Sequence, residues 1–151
     1  MIDLSENGEE TSPIRKLPLA AVVLALMGLL DSIYLTVHHL TAEPVPCSLI
    51  SGCETVLTSS YAEIAGVPLA AFGAAAYFVA FSLSLLAAFG NRKAWFVFGL
   101  LSCGMAGFTF WLLYLQAFVI GAFCQFCLIS AATSLGLFSV ALLSKFWQRR
   151  S

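Results

Sequence analysis

Four long apolar runs decide what this chain can fold into: residues 17–40, 67–89, 94–119 and 123–147. Each exceeds the roughly 20 residues that a helix needs to cross a hydrocarbon core about 30 Å thick. Spanning strands would run to about 10 residues and alternate in polarity, and that pattern is absent. The first run is too long for a signal peptide, and no small-residue cleavage site precedes the next polar stretch. It is therefore read as a retained helix. The chain is 60% hydrophobic and 10% charged over 151 residues. A soluble domain of that length could not hide so much apolar surface. The reading is an all-α membrane protein, a four-transmembrane-helix bundle.

Orientation follows from the basic residues. All seven (Arg15, Lys16, Arg92, Lys93, Lys145, Arg149 and Arg150) lie before the first run, between the second and third, or at the end of the fourth. The positive-inside rule places those segments in the cytoplasm. Both termini then face the cytoplasm, in an inner (plasma) membrane. A loop over residues 41–66 and a short turn around Gly121 face the periplasm or cell exterior. Residues 1–16 and 148–151 read as cytoplasmic tails around one domain, 17–147. The net charge of −1 comes with no basic patch, so nucleic acid is excluded as a partner.

The outer loop is the one long connection, and long loops in compact proteins are often functional. Its two prolines, Pro44 and Pro46, favour an extended start. Ser51-Gly-Cys53-Glu54 then fits a capping box with Ser51 as N-cap. That pattern predicts a short half-helix from Cys53 to about Ala65, ended by Gly66 and Pro68.

Four of the five cysteines form two pairs, Cys47/Cys53 in this loop and Cys124/Cys127 opening the fourth helix. Cys124 and Cys127, three residues apart, share one helical face. The helix N-terminus favours thiolate at the first of them. Cys47 can pair with Cys53, or Cys53 can reach Cys124, and four cysteines allow three pairings. Two dithiols on the oxidising face of a membrane suit a relay of thiol–disulfide exchange, two electrons per step. Two other readings stand beside it: purely structural bridges in a small scaffold or transporter subunit, and a four-thiolate zinc site, which is set aside, so no metal is expected. Cys103, in the middle of the third helix, reads as a packing residue.

A membrane dithiol needs a membrane electron acceptor. There is no haem ligand pair or flavin fingerprint. A lipid quinone, ubiquinone or menaquinone, fits because it accepts two electrons and two protons within the bilayer. Phe72, Gly73, Tyr77, Phe108, Trp111 and Ala131 are candidates to line its pocket. Asp31 is the only acid within a span, which marks it for a proton-transfer or hydrogen-bonding role. His38 and His39 read as interfacial residues. The tryptophans and tyrosines are partly accounted for as interface anchors.

Together, Cys47-x5-Cys53, Ser59 six residues on, the stretch Gly66-Val-Pro-Leu-Ala-Ala-Phe-Gly73 and Cys124-x-x-Cys127 resemble the vitamin K epoxide reductase family over residues 17–147. The resemblance is to its bacterial branch. It implies a quinone-dependent thiol-disulfide oxidoreductase that reoxidises a thioredoxin-like (DsbA-like) periplasmic partner and supports disulfide formation. In the implied relay the partner exchanges with Cys47, Cys53 attacks Cys124, and Cys127 is freed beside the quinone. Ser59 matches the family's loop serine, although an ideal helix puts Ser60 on the Cys53 face. Many bacterial members carry a fused thioredoxin-like domain. This chain ends at Ser151, so the partner is expected to be a separate protein. The loop cysteines are closer together than in animal members. Leu69 and Ala131 stand where the animal branch has a quinone-contacting Asn and Tyr, which implies plain quinone reduction and not epoxide reduction. A DsbB-type quinone reductase is the neighbouring enzyme reading, but it usually carries its Cys-x-x-Cys earlier in the chain.

Overall fold

The computed structural model describes residues 13–150, with side chains from Lys16 onward. Most of the expected N-terminal tail, residues 1–12, and Ser151 lie outside the described residues. The elements are α1 (Pro13–Thr41), α2 (Cys53–Leu57), β1 (Glu63–Ile64), β2 (Val67–Pro68), α3 (Leu69–Ala88), α4 (Arg92–Tyr114) and α5 (Gln125–Arg150). A π-helical turn, Leu115–Ile120, continues α4. Residues 13–16 and 148–150, expected in tails, are helical.

Four segments are long and apolar enough to cross a membrane: Lys16–Thr41, Leu69–Ala88, Arg92–Ile120 and Gln125–Arg150. The helices close a ring in which α1 packs on α3 and α5, and α4 packs on the same two. Outward-facing side chains are large and apolar, among them Leu30, Phe78, Phe96 and Phe110. The interior holds small and hydroxylated residues such as Ala21, Ala25, Ser84, Ser102 and Ser134. Lipid is as apolar as leucine, so helices in it gain from close approach and interhelical hydrogen bonds. Trp95 Nε1 donates to Ser144 Oγ at 2.9 Å, and Thr109 Oγ1 donates to Ser134 Oγ at 3.0 Å. Tyr77 donates to the Ser130 carbonyl at 2.6 Å and lies 2.8 Å from Thr133 Oγ1. It is buried in the bundle, so it is not an interface anchor. The chain is a multi-pass membrane protein.

At one end, Asn91 caps α4 by accepting the N–H groups of Lys93 and Ala94, each at 3.1 Å, as an N-cap residue does. At the other end, the outer loop departs from its expected form. The half-helix stops at Leu57 instead of about Ala65. The Val56 carbonyl is taken by the Ser59 N–H and by its hydroxyl, at 3.3 and 2.7 Å. Continuing the helix would need that carbonyl for residue 60, and short hydroxyl side chains compete in this way. Beyond it, β1 and β2 pair antiparallel, Glu63 with Pro68 and Ile64 with Val67. Ala65 and Gly66 form their turn with φ of 53° and 79°, the mirror-image geometry that a two-residue hairpin requires.

The expected capping box does not form either. Gly52 is the N-cap, without a side-chain cap bond. A Cβ at Gly52 would lie 2.9 Å from the Phe123 nitrogen and closer still to the Phe123 carbonyl oxygen. Tertiary approach to residues 122–123, not local capping, sets where α2 begins.

Candidate active site

All four paired cysteines meet in one buried cluster at the outer end of the bundle. Cys53, Val56 and Cys124 form its centre, and Cys47, Leu57, Ile120, Phe126 and Cys127 pack against them. Cys47 and Cys53 are joined as a disulfide with their Cα atoms 6.3 Å apart. Cys124 and Cys127 are free thiols. Cys53 starts α2 and Cys124 stands one residue ahead of α5, so the Gly52–Phe123 contact brings the two pairs together. Among the described residues, no three His, Cys, Asp or Glu side chains group as metal ligands.

Two glutamines fasten the inner pair. Gln116, buried in the π-helical turn, accepts the Cys124 N–H at 3.1 Å. Gln125, inside the Cys-x-x-Cys sequence, accepts the Leu49 N–H at 3.1 Å and ties down the outer loop. The Cys124 carbonyl accepts the Leu128 N–H at 3.0 Å, so Cys124 opens α5 as its N-cap.

Cys124 lies just ahead of the α5 span, and its thiol is lowered to about 7. A hydrogen bond with the Cys127 thiol contributes most. Burial opposes it, the N–H groups of Cys127 and Phe126 assist, and Asp31 opposes it weakly. A helix N-terminus stabilises thiolate in this way. A thiol is ionised above its pKa, so Cys124 should be thiolate above about pH 7, thiol below it and divided between the two near neutrality. Alkylation of Cys124 by iodoacetamide in a Cys103→Ala background is expected to rise through pH 7, with a midpoint near about 7 instead of the ordinary value near 8.5. Mass spectrometry of the labelled chain gives the profile. A midpoint above about 8.5 would contradict the assigned environment.

Beneath the cluster, an elongated cavity of about 540 Å³ runs between the helices. Cys127 lines it, as do Phe72, Gly73, Tyr77, Phe108 and Ala131. Phe72 and Phe108 are also half exposed on the outer surface, so the cavity reaches the lipid-facing side between α3 and α4. Trp111 does not line it. Its ring leans on Phe108, 5.4 Å between centroids, and points outward. Phe108 and Trp111 are three residues apart, and the cavity face of α4 takes Thr109, Leu112 and Leu113 in place of Trp111.

The two loop serines separate. Ser59 lines the cavity, whereas Ser60 is exposed on a shallow outer groove that also includes Ser59. The ideal-helix argument for Ser60 fails because α2 has ended before either residue. Asp31 has one carboxylate oxygen buried without a hydrogen-bond partner among the described residues. His39 Nε2 lies 2.6 Å from Glu63 Oε1 and joins α1 to the hairpin. Cys103 faces outward and is exposed. It sits about 100° around the helix from buried Ser102, so it is not a packing residue.

Gln116 escaped the sequence reading. A lone amide inside an apolar run, eight residues before Cys124, is the kind of intramembrane polar residue that marks a site. The argument that singled out Asp31 applies equally to it.

Comparison with known proteins agrees with this geometry. The chain is 31% identical over 123 residues to the thiol-disulfide oxidoreductase LTO1 of Arabidopsis thaliana. The alignment takes in 76% of this chain and 33% of that protein, so the chain spans about a third of its relative's length. Residues 19–142 match the vitamin K epoxide reductase family. That match covers all four helices, both cysteine pairs and the cavity between them, and the chain belongs to the vitamin K epoxide reductase family.

Proposed function

We propose that this protein is a membrane thiol:quinone oxidoreductase that reoxidises a thioredoxin-like partner. One observation carries the reading: two cysteine pairs share one buried cluster, and the innermost sulfur, on Cys127, opens onto an apolar cavity that reaches the lipid. The cavity's size lies within the roughly 300–1,000 Å³ of small-molecule sites. Its apolar walls suit a lipid-soluble ring. A quinone bound there supplies an acceptor for two electrons and two protons.

The residues' own steps balance. A partner thiolate attacks Cys47 and breaks the Cys47–Cys53 bond. The partner's second thiol then resolves the mixed disulfide and leaves the partner oxidised. Cys53 attacks Cys124 of an oxidised inner pair and releases Cys127. Cys47 next displaces Cys124 from Cys53, which restores the outer disulfide and leaves two thiols inside. Cys124 and Cys127 finally give up two electrons and two protons and rejoin as a disulfide, while the quinone becomes quinol. The lowered Cys124 thiol suits the step in which Cys47 displaces it from Cys53, because a leaving thiol of lower pKa departs faster. The cysteine cluster would face the periplasm, with the Lys and Arg end of the bundle in the cytoplasm.

The test is decylubiquinone reduction by purified protein in detergent, driven by a reduced DsbA-like protein. Wild type should turn over and Cys127→Ala should fall to background. Equal rates in the two would sink the assignment.

A further inference from the structure

Gln116 is held at both ends of its residue. Its backbone carbonyl accepts the Ala122 N–H at 3.2 Å, and its side-chain oxygen accepts the Cys124 N–H at 3.1 Å. A backbone N–H only donates, so the amide oxygen must be the end that faces Cys124. This chemistry fixes the amide orientation that coordinates alone often leave ambiguous. The –NH2 end is therefore turned away from Cys124. Gln116 is only 4% exposed, and it lines the same cavity as Cys127.

That nitrogen keeps two donors with no acceptor among the described residues. Three other polar groups on the cavity wall have spent theirs, whereas the Ser32 and Tyr61 hydroxyls, also on the wall, donate to no described residue. Ser59 donates to the Val56 carbonyl, Tyr77 to the Ser130 carbonyl and Thr109 to Ser134. Leu69 and Ala131, also on the wall, have no side-chain donor to offer. A donor that faces an apolar cavity gains from an acceptor, and a ligand with an oxygen at that point supplies one. The π-helical turn gives a reason for the placement. Such turns shift the helical register at functional sites, and here the turn carries Gln116 to within reach of both Cys124 and the cavity.

We propose that the Gln116 side-chain amide donates a hydrogen bond to a carbonyl oxygen of the quinone and holds the ring beside Cys127. The inference rests on the quinone reading above and adds the residue that orients the ligand. A quinone fits the site's chemistry: an apolar body with carbonyl acceptors, against an apolar wall with an amide donor.

The experiment uses the full chain in detergent with decylubiquinone. Infrared difference spectra of the bound quinone, with its carbonyls labelled by ¹³C, report the hydrogen bond directly. In wild type one carbonyl band should lie below its position for free decylubiquinone. In Gln116→Met it should return toward the free position. The KM for decylubiquinone should rise about tenfold, the value of one hydrogen bond, with kcat changing much less. A second variant guards against misfolding: Gln116→Glu keeps an oxygen for the Cys124 amide, and at a pH high enough to ionise a carboxyl on this apolar wall it donates nothing. It should show the same band shift. A carbonyl band and KM unchanged in both variants would overturn the assignment of Gln116 while leaving the quinone reading intact. Absence of any decylubiquinone reduction by wild type would overturn both.

Discussion

The Cys124→Ala variant is expected to accept electrons from a dithiol partner once and then stop. Its outer disulfide joins two loop cysteines that the substitution leaves in place, and a chemical oxidant can form it before the assay. A reduced DsbA-like protein should therefore open it and leave two new thiols on each chain. Without Cys124 there is no sulfur at the centre of the cluster for Cys53 to attack. Cys127 stays in the cavity wall without its partner, and quinone turnover falls to background. Removing one buried sulfur costs roughly 1–2 kcal/mol of stability, which a thermal melt in detergent would register without loss of the fold. Thiol counting after gel filtration decides the matter. A variant that continues to oxidise its partner would refute the relay. A stable variant whose outer disulfide resists the partner would make both pairs structural.

Gly52→Val should break the relay without touching a cysteine. A side chain at this position meets the Ala122 methyl at 3.2 Å and the Phe123 nitrogen at 2.9 Å. Backbone cannot yield as a flexible side chain would, so α2 must move away from the start of α5. Overpacking of this kind costs typically about 1–3 kcal/mol. The larger effect is geometric, because Cys53 is the next residue and moves with it. A displacement near 1 Å at reacting atoms can slow a step on the order of 10²-fold. Rapid-quench measurement of electron transfer from the outer to the inner pair should show that loss, while reduction of Cys47–Cys53 by the partner stays normal. Gly107→Ala is the control, since a Cβ there meets no neighbouring group within 4 Å and the residue does not line the cavity. Exchange at the wild-type rate in Gly52→Val would mean that the contact does not set the approach of the two pairs.

The spans were legible because hydropathy is a local property. Runs at 17–40, 67–89, 94–119 and 123–147 correspond to segments at 16–41, 69–88, 92–120 and 125–150. The closeness of Cys124 and Cys127 was legible for a related reason: a spacing of three residues at a helix start fixes a shared face. The outer loop was not, because its form is decided by distant residues. Ser51 had the sequence of an N-cap, but Phe123 determined where the helix begins. Ser60 was set beside Ser59 by extending a helix that the Ser59 hydroxyl helps to end. Trp111 was assigned to the cavity on aromatic character, and the rotation of α4 turned it to lipid. The polar wall was the largest omission. Thr109, Gln116, Ser130 and Ser134 are scattered through apolar runs, and only the packing of α4 on α5 gathers them.

The two residues between the inner cysteines have duties outside their own helix. Gln125 secures Leu49, two residues beyond Cys47, and the Phe126 ring rests 5.2 Å from Tyr34 on α1. In thioredoxin-type proteins, exchange of the intervening dipeptide is an accepted way to tune a reduction potential. Here the same exchange would also loosen the segment that presents Cys47 to its partner. Potential and docking cannot be dialled separately at these two positions, and a library built on them would select for both at once.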